Sequence, residues 1–387
     1  MFCVILVIMK IVVTGGGSGG HFYPLMAVAE SIQKQAREQK LLEPRLYYVG
    51  PDPYNPKELF DRGIDFIKVT AGKRRINPKG FSRVRNFFDI FKMGFGCIAG
   101  LIKMFFLFPD VVFAKGGFAA FPVLFAARVL GIPVVIHESD SVPGRVNLWA
   151  GKFAKRVGVA FQEAAEYFDP KKVAYTGNPV RKDITLPLTV GAYEYLELDK
   201  DLPVIAVMGG SLGAKRINDV VIGSLPLLVE RYQVIHQTGR SNIDIVKGMA
   251  KLALDGASHP ERYKAVDYLN PMSMRMLAGI ADVIISRSGS SLFEIALWGV
   301  PSIMIPITDS NGDHQRKNAF NYARSGAAVV IEEANLTPQI LVNEITRIVN
   351  DRELHDRMSS EAKKFSRPDA GDIIAHEVLN IALSHEV

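Results

Sequence analysis

Short runs of β-branched residues alternate with helix-length stretches along most of this 387-residue chain, and few architectures can use that pattern. In the first half the runs are Lys10–Thr14, Leu46–Val49, Phe66–Val69, Val111–Ala114, Val134–His137, Val157–Ala160 and Val173–Tyr175. Helical stretches such as Pro24–Gln39 and Phe118–Leu130 lie between them. The second half repeats the pattern with Val204–Met208, Gln233–Gln237, Tyr263–Val266, Val283–Ser286, Ser302–Pro306 and Ala328–Ile331. Its helical stretches include Ala214–Arg231, Leu292–Trp298, Gln315–Ser325 and Pro338–Asn350. Strand followed by helix, repeated, builds parallel sheets with helices on both faces. The rhythm breaks over Thr185–Asp201 and restarts at Pro203. The expected fold is therefore α/β, with two Rossmann-like domains at 1–184 and 185–370 and a closing helix in 371–387. Each domain is long enough to bury its own core. Open parallel sheets bind ligands beyond the carboxyl ends of their strands, so two of them are expected to face each other across a cleft.

The loops at those strand ends carry the chemistry. The first strand runs into Gly15-Gly16-Gly17-Ser18-Gly19-Gly20-His21. Glycines at such a turn let the backbone approach a ligand and aim N–H groups at an anion. No Gly-Lys-Ser/Thr follows, which excludes a Walker A loop. His21, at the lip of the loop, is a candidate general base. Lys115-Gly116-Gly117-Phe118 forms a second turn. Gly209-Gly210-Ser211-Leu212-Gly213-Ala214 forms a third, the better diphosphate candidate because it opens a helix. After Val134–His137 come Glu138, Ser139 and Asp140; Glu138 either serves a sugar hydroxyl or caps its own loop. Arg181, in Gly177-Asn178-Pro179-Val180-Arg181, suits a phosphate. Glu294, in Arg287–Glu294, either accepts both ribose hydroxyls or favours the dipole of the helix it begins. Asp313–Asn318 is a polar helix entry able to meet sugar hydroxyls. No Asp-x-Asp pair follows a strand in the second half, so neither metal nor cofactor is expected.

Composition narrows the partners. At 48% hydrophobic and 22% charged residues the chain is not disordered. Its two cysteines, Cys3 and Cys97, form no disulfide framework and fit a reducing compartment. Residues 71–110 hold Lys73, Arg74, Arg75, Lys79, Arg83, Arg85, Lys92 and Lys103 against Asp89 and Asp110, which accounts for the whole net charge of +6. Such a zone asks for an anionic partner. It runs into Phe87–Phe108, with phenylalanines at 87, 91 and 95, so an anionic phospholipid surface is expected and nucleic acid is not. No stretch reaches about 18 uninterrupted apolar residues. Phe2–Met9 lacks the basic flank and cleavage site of a signal peptide, and Met9 is the expected natural start.

The turns Gly16–His21, Lys115–Phe118, His137–Asp140, Gly177–Arg181, Gly209–Ala214 and Arg287–Glu294, in this order, resemble the MurG family. These bacterial enzymes add N-acetylglucosamine to undecaprenyl-diphosphate-linked muramoyl-pentapeptide. The resemblance runs from about Lys10 to about Glu333. It implies a GT-B fold, inverting transfer from UDP-N-acetylglucosamine, and a peripheral position on the cytoplasmic membrane face. It also implies roles. His21, Glu138 and Asp140 would be catalytic, the two carboxylates lining the acceptor side. Ser18, Gly19, Arg181, Gly210, Ser211, Leu212, Gly213, Leu269, Met272, Glu294, His314 and Gln315 would serve the donor. Gly16, Gly17, Gly20, Gly116 and Gly117 would serve the acceptor. The chain departs from the common family pattern at Ser18, at Ser139-Asp140, and in an Arg287-to-Glu294 spacing one residue short. Rival readings are a glycolipid synthase using diacylglycerol, a UDP-N-acetylglucosamine 2-epimerase, and a non-catalytic subunit that docks a partner glycosyltransferase to the membrane.

Overall fold

The computed structural model describes residues 8–72, 81–210, 214–308 and 311–385. Ser211, Leu212 and Gly213 lie outside the described residues, as do Lys73, Arg74, Arg75 and Lys79. The chain forms two compact units: one runs to Arg181 and resumes at Arg367, the other is Lys182–Ser366.

The first unit contains β1 (Lys10–Thr14), α1 (Gly19–Glu38), β2 (Arg45–Gly50), α2 (Pro56–Asp61), β3 (Asp65–Lys68) and α3 (Phe81–Leu107). It continues with β4 (Val111–Ala114), α4 (Phe121–Leu130), β5 (Val134–Glu138), α5 (Arg145–Ala150), β6 (Arg156–Val159) and β7 (Val173–Tyr175). The sheet order is β3-β2-β1-β4-β5-β6-β7, and the pairings are parallel. Strand alternation sorts its core onto two faces. Ile11, Val13, Leu46, Tyr48, Val111 and Phe113 pack beneath α1, while Val12, Tyr47, Val49, Val112 and Ala114 pack beneath α4.

The second unit contains α6 (Ala192–Leu196), β8 (Val204–Met208), α7 (Lys215–Leu228), β9 (Gln233–Gln237), α8 (Ile243–Ala253), β10 (Tyr263–Val266) and α9 (Pro271–Ile280). Then follow β11 (Ala281–Ser286), α10 (Ser291–Trp298), β12 (Ser302–Met304), α11 (His314–Arg324), β13 (Ala328–Val330), α12 (Pro338–Asn350) and α13 (Arg352–Phe365). Its parallel sheet has the order β10-β9-β8-β11-β12-β13. The irregular stretch after Ile184 is strapped to this unit: Trp298 Nε1 donates to the Ile184 carbonyl at 2.7 Å, Arg275 Nε to Leu186 at 2.8 Å, and Leu188 N to Arg275 at 2.9 Å. The closing helix α14 (Ala370–His385) returns to the first unit, where Ile374, Ala375, Val378 and Leu379 join the core beneath α1.

Two helices begin elsewhere than the sequence suggests. The first starts at Gly19 rather than Pro24, because the Ser18 carbonyl already accepts from His21 N and Phe22 N. Residues Phe118–Ala120 form a turn before α4 begins at Phe121.

Helix α3 is exceptional in what it exposes. Gly96 and Gly100 lie where it meets the rest of the unit: a Cβ would sit 2.0 Å from the Thr70 carbonyl oxygen at Gly96 and 3.0 Å from that of Pro122 at Gly100. Met104, one turn on, is buried. The opposite side carries Phe87, Phe91, Phe95, Ile98, Ile102 and Phe106, with Phe95 69% and Phe106 80% exposed. By length and composition its Asn86–Leu107 portion is apolar enough to cross a membrane, an 18-residue window within it having a mean hydropathy of 1.7, although Asp89, Lys92 and Lys103 interrupt it.

Candidate active site

Sheet order determines where a ligand can bind. In both sheets the strand sequence reverses direction, between β1 and β4 and between β8 and β11. Chains leaving the two central strands diverge to opposite faces there and open a crevice. All four strand ends carry a turn singled out above: Gly15–Ser18, Lys115–Phe118, Gly209–Gly210 and Arg287–Ser290.

In the first unit Gly15, Gly16 and Gly17 have φ values of 142°, 113° and 97°, a region L side chains avoid. Tyr48 fixes the turn from below, its hydroxyl donating to the Gly15 carbonyl at 2.6 Å. Burial pushes that phenol up to about 12, so it remains a donor. Gly17 and Ser18 are exposed, while Gly19 and Gly20 form the first turn of α1. A Cβ on Gly19 would lie 3.3 Å from the Tyr23 ring and 3.4 Å from Tyr54, so its glycine serves packing as well as approach. His21 sits half-buried on the same first turn. Its ring faces the turn after β4: a Cβ on Gly117 would lie 3.7 Å from His21 Cε1 and 3.8 Å from Nε2. The candidate base and the second glycine turn, 96 positions apart in sequence, are thus neighbours. Gly116 backs onto Asn147, whose side-chain oxygen would be 2.4 Å from an added Cβ.

Glu138 has the geometry of a loop clamp. Its Oε1 accepts from Asp140 N at 2.9 Å; its Oε2 accepts from Gly144 N and Asn147 Nδ2, both at 2.9 Å. Burial raises its carboxyl above the usual range, followed by repulsion from Asp140, and these hydrogen bonds oppose both. Asp140 is held by this clamp with its side chain half-exposed. Arg181, 5% exposed, lies with its guanidinium 4.1 Å from the centre of the Tyr23 ring, a cation–π stack that fixes its plane.

In the second unit Gly210 is exposed at φ 80°, one residue before the undescribed part of its turn. Ser286 Oγ donates to the Met208 carbonyl at 3.0 Å and ties the tips of β8 and β11 together. Glu294 lies half-exposed in the first turn of α10. Ser288 Oγ donates to the Gln315 carbonyl at 2.6 Å, and Gln315 Oε1 accepts from Ile307 N at 3.2 Å. The turn after β11 and the entry to α11, with His314 half-exposed at its first residue, are therefore one structure. Leu269 is buried and Met272 is 45% exposed at the start of α9, where Asn270 caps the helix by accepting from Ser273 N.

Several residues of this machinery were not singled out from the sequence. Tyr23 and Tyr48 read as core aromatics, and both also hold site groups. Arg287 bonds the Ile305 carbonyl and Glu333 Oε1, and Glu333 Oε2 holds Thr308. The pairing spans 46 positions and leaves no local pattern. Lys115 was named only as the first residue of its turn, and its position directly after the apolar strand β4 is a readable signal. A cavity of about 610 Å³ also lies in the first unit, bordered by Lys34, Arg156, Lys172, Thr176 and Glu377. None of the glycine turns lines it.

Two parallel-sheet units with glycine turns at their switch points have the GT-B fold, and the family matches make the chain a glycosyltransferase. Residues 11–159 match the N-terminal domain of glycosyltransferase family 28, and residues 204–373 match its C-terminal domain. The chain is 34% identical over 376 residues to the UDP-N-acetylglucosamine--N-acetylmuramyl-(pentapeptide) pyrophosphoryl-undecaprenol N-acetylglucosamine transferase of Pediococcus pentosaceus, covering 94% of this chain and 97% of the relative. It is 32% identical over 373 residues to a Bacillus cereus protein of the same description, covering 95% and 99%. Among solved structures it is similar to Acinetobacter baumannii MurG, with a TM-score of 0.69 at 26% identity over 97% of this chain and 100% of that one. A putative UDP-N-acetylglucosamine 2-epimerase from Listeria monocytogenes shares the fold, with a TM-score of 0.68 at 16% identity over 98% and 97%. The chain belongs to glycosyltransferase family 28 and, within it, to the MurG family.

Proposed function

We propose that this chain transfers N-acetylglucosamine, with inversion, from UDP-N-acetylglucosamine to the 4-hydroxyl of undecaprenyl-diphospho-N-acetylmuramoyl-pentapeptide. The observation that carries the reading is the span of the relatives named for this reaction, which align over both units from end to end. The reaction is a single displacement. The acceptor hydroxyl attacks the anomeric carbon, His21 takes its proton, and UDP leaves. The first unit serves the acceptor. The N–H groups of Gly16, Gly17 and Gly20, with those of Gly116 and Gly117, suit an anionic diphosphate. Asp140 orients the sugar, and Glu138 acts through the loop that carries Asp140. The second unit serves the nucleotide: the Gly209–Ala214 turn takes the diphosphate, Glu294 the ribose, Leu269 and Met272 the uracil, and His314 and Gln315 the donor sugar. Arg181 and the helix start at α7 stabilise the leaving charge. Ser18 and Gly19 complete the donor side.

UDP release from UDP-N-acetylglucosamine, measured with and without the lipid-linked muramoyl acceptor, tests the whole reading. Release that depends on the acceptor is expected. An enzyme that converts the sugar nucleotide equally well without acceptor would be an epimerase instead. A single substitution tests the donor half. Glu294→Ala is expected to weaken UDP by about 1.5–3 kcal/mol, the worth of hydrogen bonds to a charged group. The same substitution should leave 2′,3′-dideoxy-UDP nearly unaffected, since that ligand lacks both hydroxyls. Equal losses for the two ligands would assign Glu294 to its helix rather than to the ribose.

The acceptor is a lipid, and the proposal extends to where the enzyme meets it. The apolar side of α3, with the basic residues that precede it in the sequence, binds an anionic phospholipid surface and holds the enzyme at the cytoplasmic face. It lies on the membrane rather than crossing it, because a crossing helix would have to abandon the packing of Gly96, Gly100 and Met104 against the rest of its unit.

A further inference from the structure

The turn after β4 opens on a lysine that the reaction above leaves unused. Lys115 is 1% exposed, and its neighbours account for every proton it carries. The ammonium donates to His137 Nδ1 at 2.7 Å, Ser139 Oγ at 2.5 Å and Asn178 Oδ1 at 2.8 Å. Three N–H bonds meet three neutral acceptors from two other strand ends. With Nδ1 accepting, His137 carries its proton on Nε2, which donates to the Gly177 carbonyl at 2.8 Å. Burial, and next the Lys115 charge, hold that imidazole far below its usual range, so it stays neutral. Asn147 Nδ2 closes the group by donating to the His137 carbonyl at 3.1 Å as well as to Glu138.

A buried cation whose acceptors are all neutral is costly, and an apolar residue would fill the same space at lower cost. What the charge adds is a rigid joint among three chain ends. One is the Lys115–Gly117 turn facing His21. The second is the His137–Asp140 segment, and the third is Gly177–Asn178, three residues before Arg181.

We propose that Lys115 is a positioning residue for the acceptor half of the reaction, its buried ammonium holding Gly117 and Asp140 in register without touching the substrate. The inference rests on the transfer reading above. Burial draws the lysine down to about 7, against the pull of Glu138 and then Asp140 toward the charged form. The titratable groups around it are His137, Glu138 and Asp140, with the Tyr48 phenol beneath Gly15 and Arg181 beyond Asn178. As pH rises through about 7 the ammonium loses a proton, one of the three donors disappears, and the joint loosens.

The test is steady-state kinetics with the lipid-linked acceptor for the parent enzyme, Lys115→Met and Ser139→Ala, from neutral to alkaline pH. Lys115→Met is expected to lower kcat/KM for the acceptor by about 10–100-fold, the scale of a misplacement near 1 Å. The KM for UDP-N-acetylglucosamine should stay unchanged, and the parent's alkaline loss of activity should disappear. Ser139→Ala, which removes one acceptor and keeps the cation, should move acceptor kcat/KM in the same direction by less. A folded Lys115→Met with the parent's acceptor kinetics, or with the alkaline loss intact, would overturn the proposal. If Lys115→Met does not fold, unchanged acceptor kinetics in Ser139→Ala overturn it instead. A parent enzyme that releases no UDP in response to acceptor would bring down the transfer reading and this inference with it. An active parent with unaffected variants would bring down this inference alone.

Discussion

Replacing His21 with alanine is expected to lower turnover by about 10²- to 10⁴-fold, the usual cost of losing a general base. UDP affinity should hold. The split follows from where the residue sits. His21 lies on the first turn of α1 with its ring against Gly117, among first-unit groups assigned to the acceptor. The groups assigned to uracil and ribose, Leu269, Met272 and Glu294, belong to the second unit. An imidazole that only braced the glycine turns would give a different pattern, because loss of the ring would loosen the acceptor turns. The KM for acceptor would then rise, with kcat nearly unchanged. Turnover with saturating substrates and UDP titration of the same preparation separate the cases. A variant as active as the parent would remove His21 from the chemistry.

Much of this site was legible because strand ends announce themselves. Apolar β-branched runs such as Lys10–Thr14, Val111–Ala114 and Val204–Met208 have the bounds expected of them. A buried parallel strand needs apolar residues on both faces, and a glycine turn ends it sharply. The location of the four turns at the two switch points required the strand order, which no local pattern encodes. Residues that act across long separations were out of reach for the same reason. Lys115 meets Asn178 across 63 positions and Arg287 meets Glu333 across 46. For Glu138 the sequence left two roles open, and only the convergence of Asp140 N, Gly144 N and Asn147 Nδ2 on its carboxylate distinguishes them. The start of α1 was misplaced because Pro24 resembles a first-turn proline, whereas it lies inside a helix that begins five residues earlier.

The exposed side of α3 shows the converse, a feature whose character the sequence reveals and whose exposure only the fold establishes. Phenylalanines at 87, 91 and 95 suit a core helix as well as an interfacial one. The described structure covers the Gly96–Gly100–Met104 side and leaves the aromatic side to solvent. A contiguous apolar stripe of this length is costly in water and marks a surface that something covers. Its chemistry points to a lipid leaflet: the stripe is aliphatic and aromatic, Lys92 is exposed beside it, and six basic residues crowd 73–85 just before it. Near an anionic leaflet each Lys or Arg contributes about 1 kcal/mol, and salt screens that part. The protein is therefore expected to bind vesicles containing anionic phospholipid more tightly than neutral ones, and less tightly as salt rises. The double variant Phe91→Ser, Phe95→Ser should bind weaker by about 10²- to 10⁴-fold, since each phenylalanine moved from water into acyl chains is worth about 1.5–3 kcal/mol. Both side chains are already more than half exposed, so the substitutions leave no cavity, and thermal stability should stay near that of the parent. Cosedimentation with vesicles of both compositions reads the result. Equal binding to neutral and anionic vesicles would remove the electrostatic part, and undiminished binding by the double variant would remove α3 from the membrane surface.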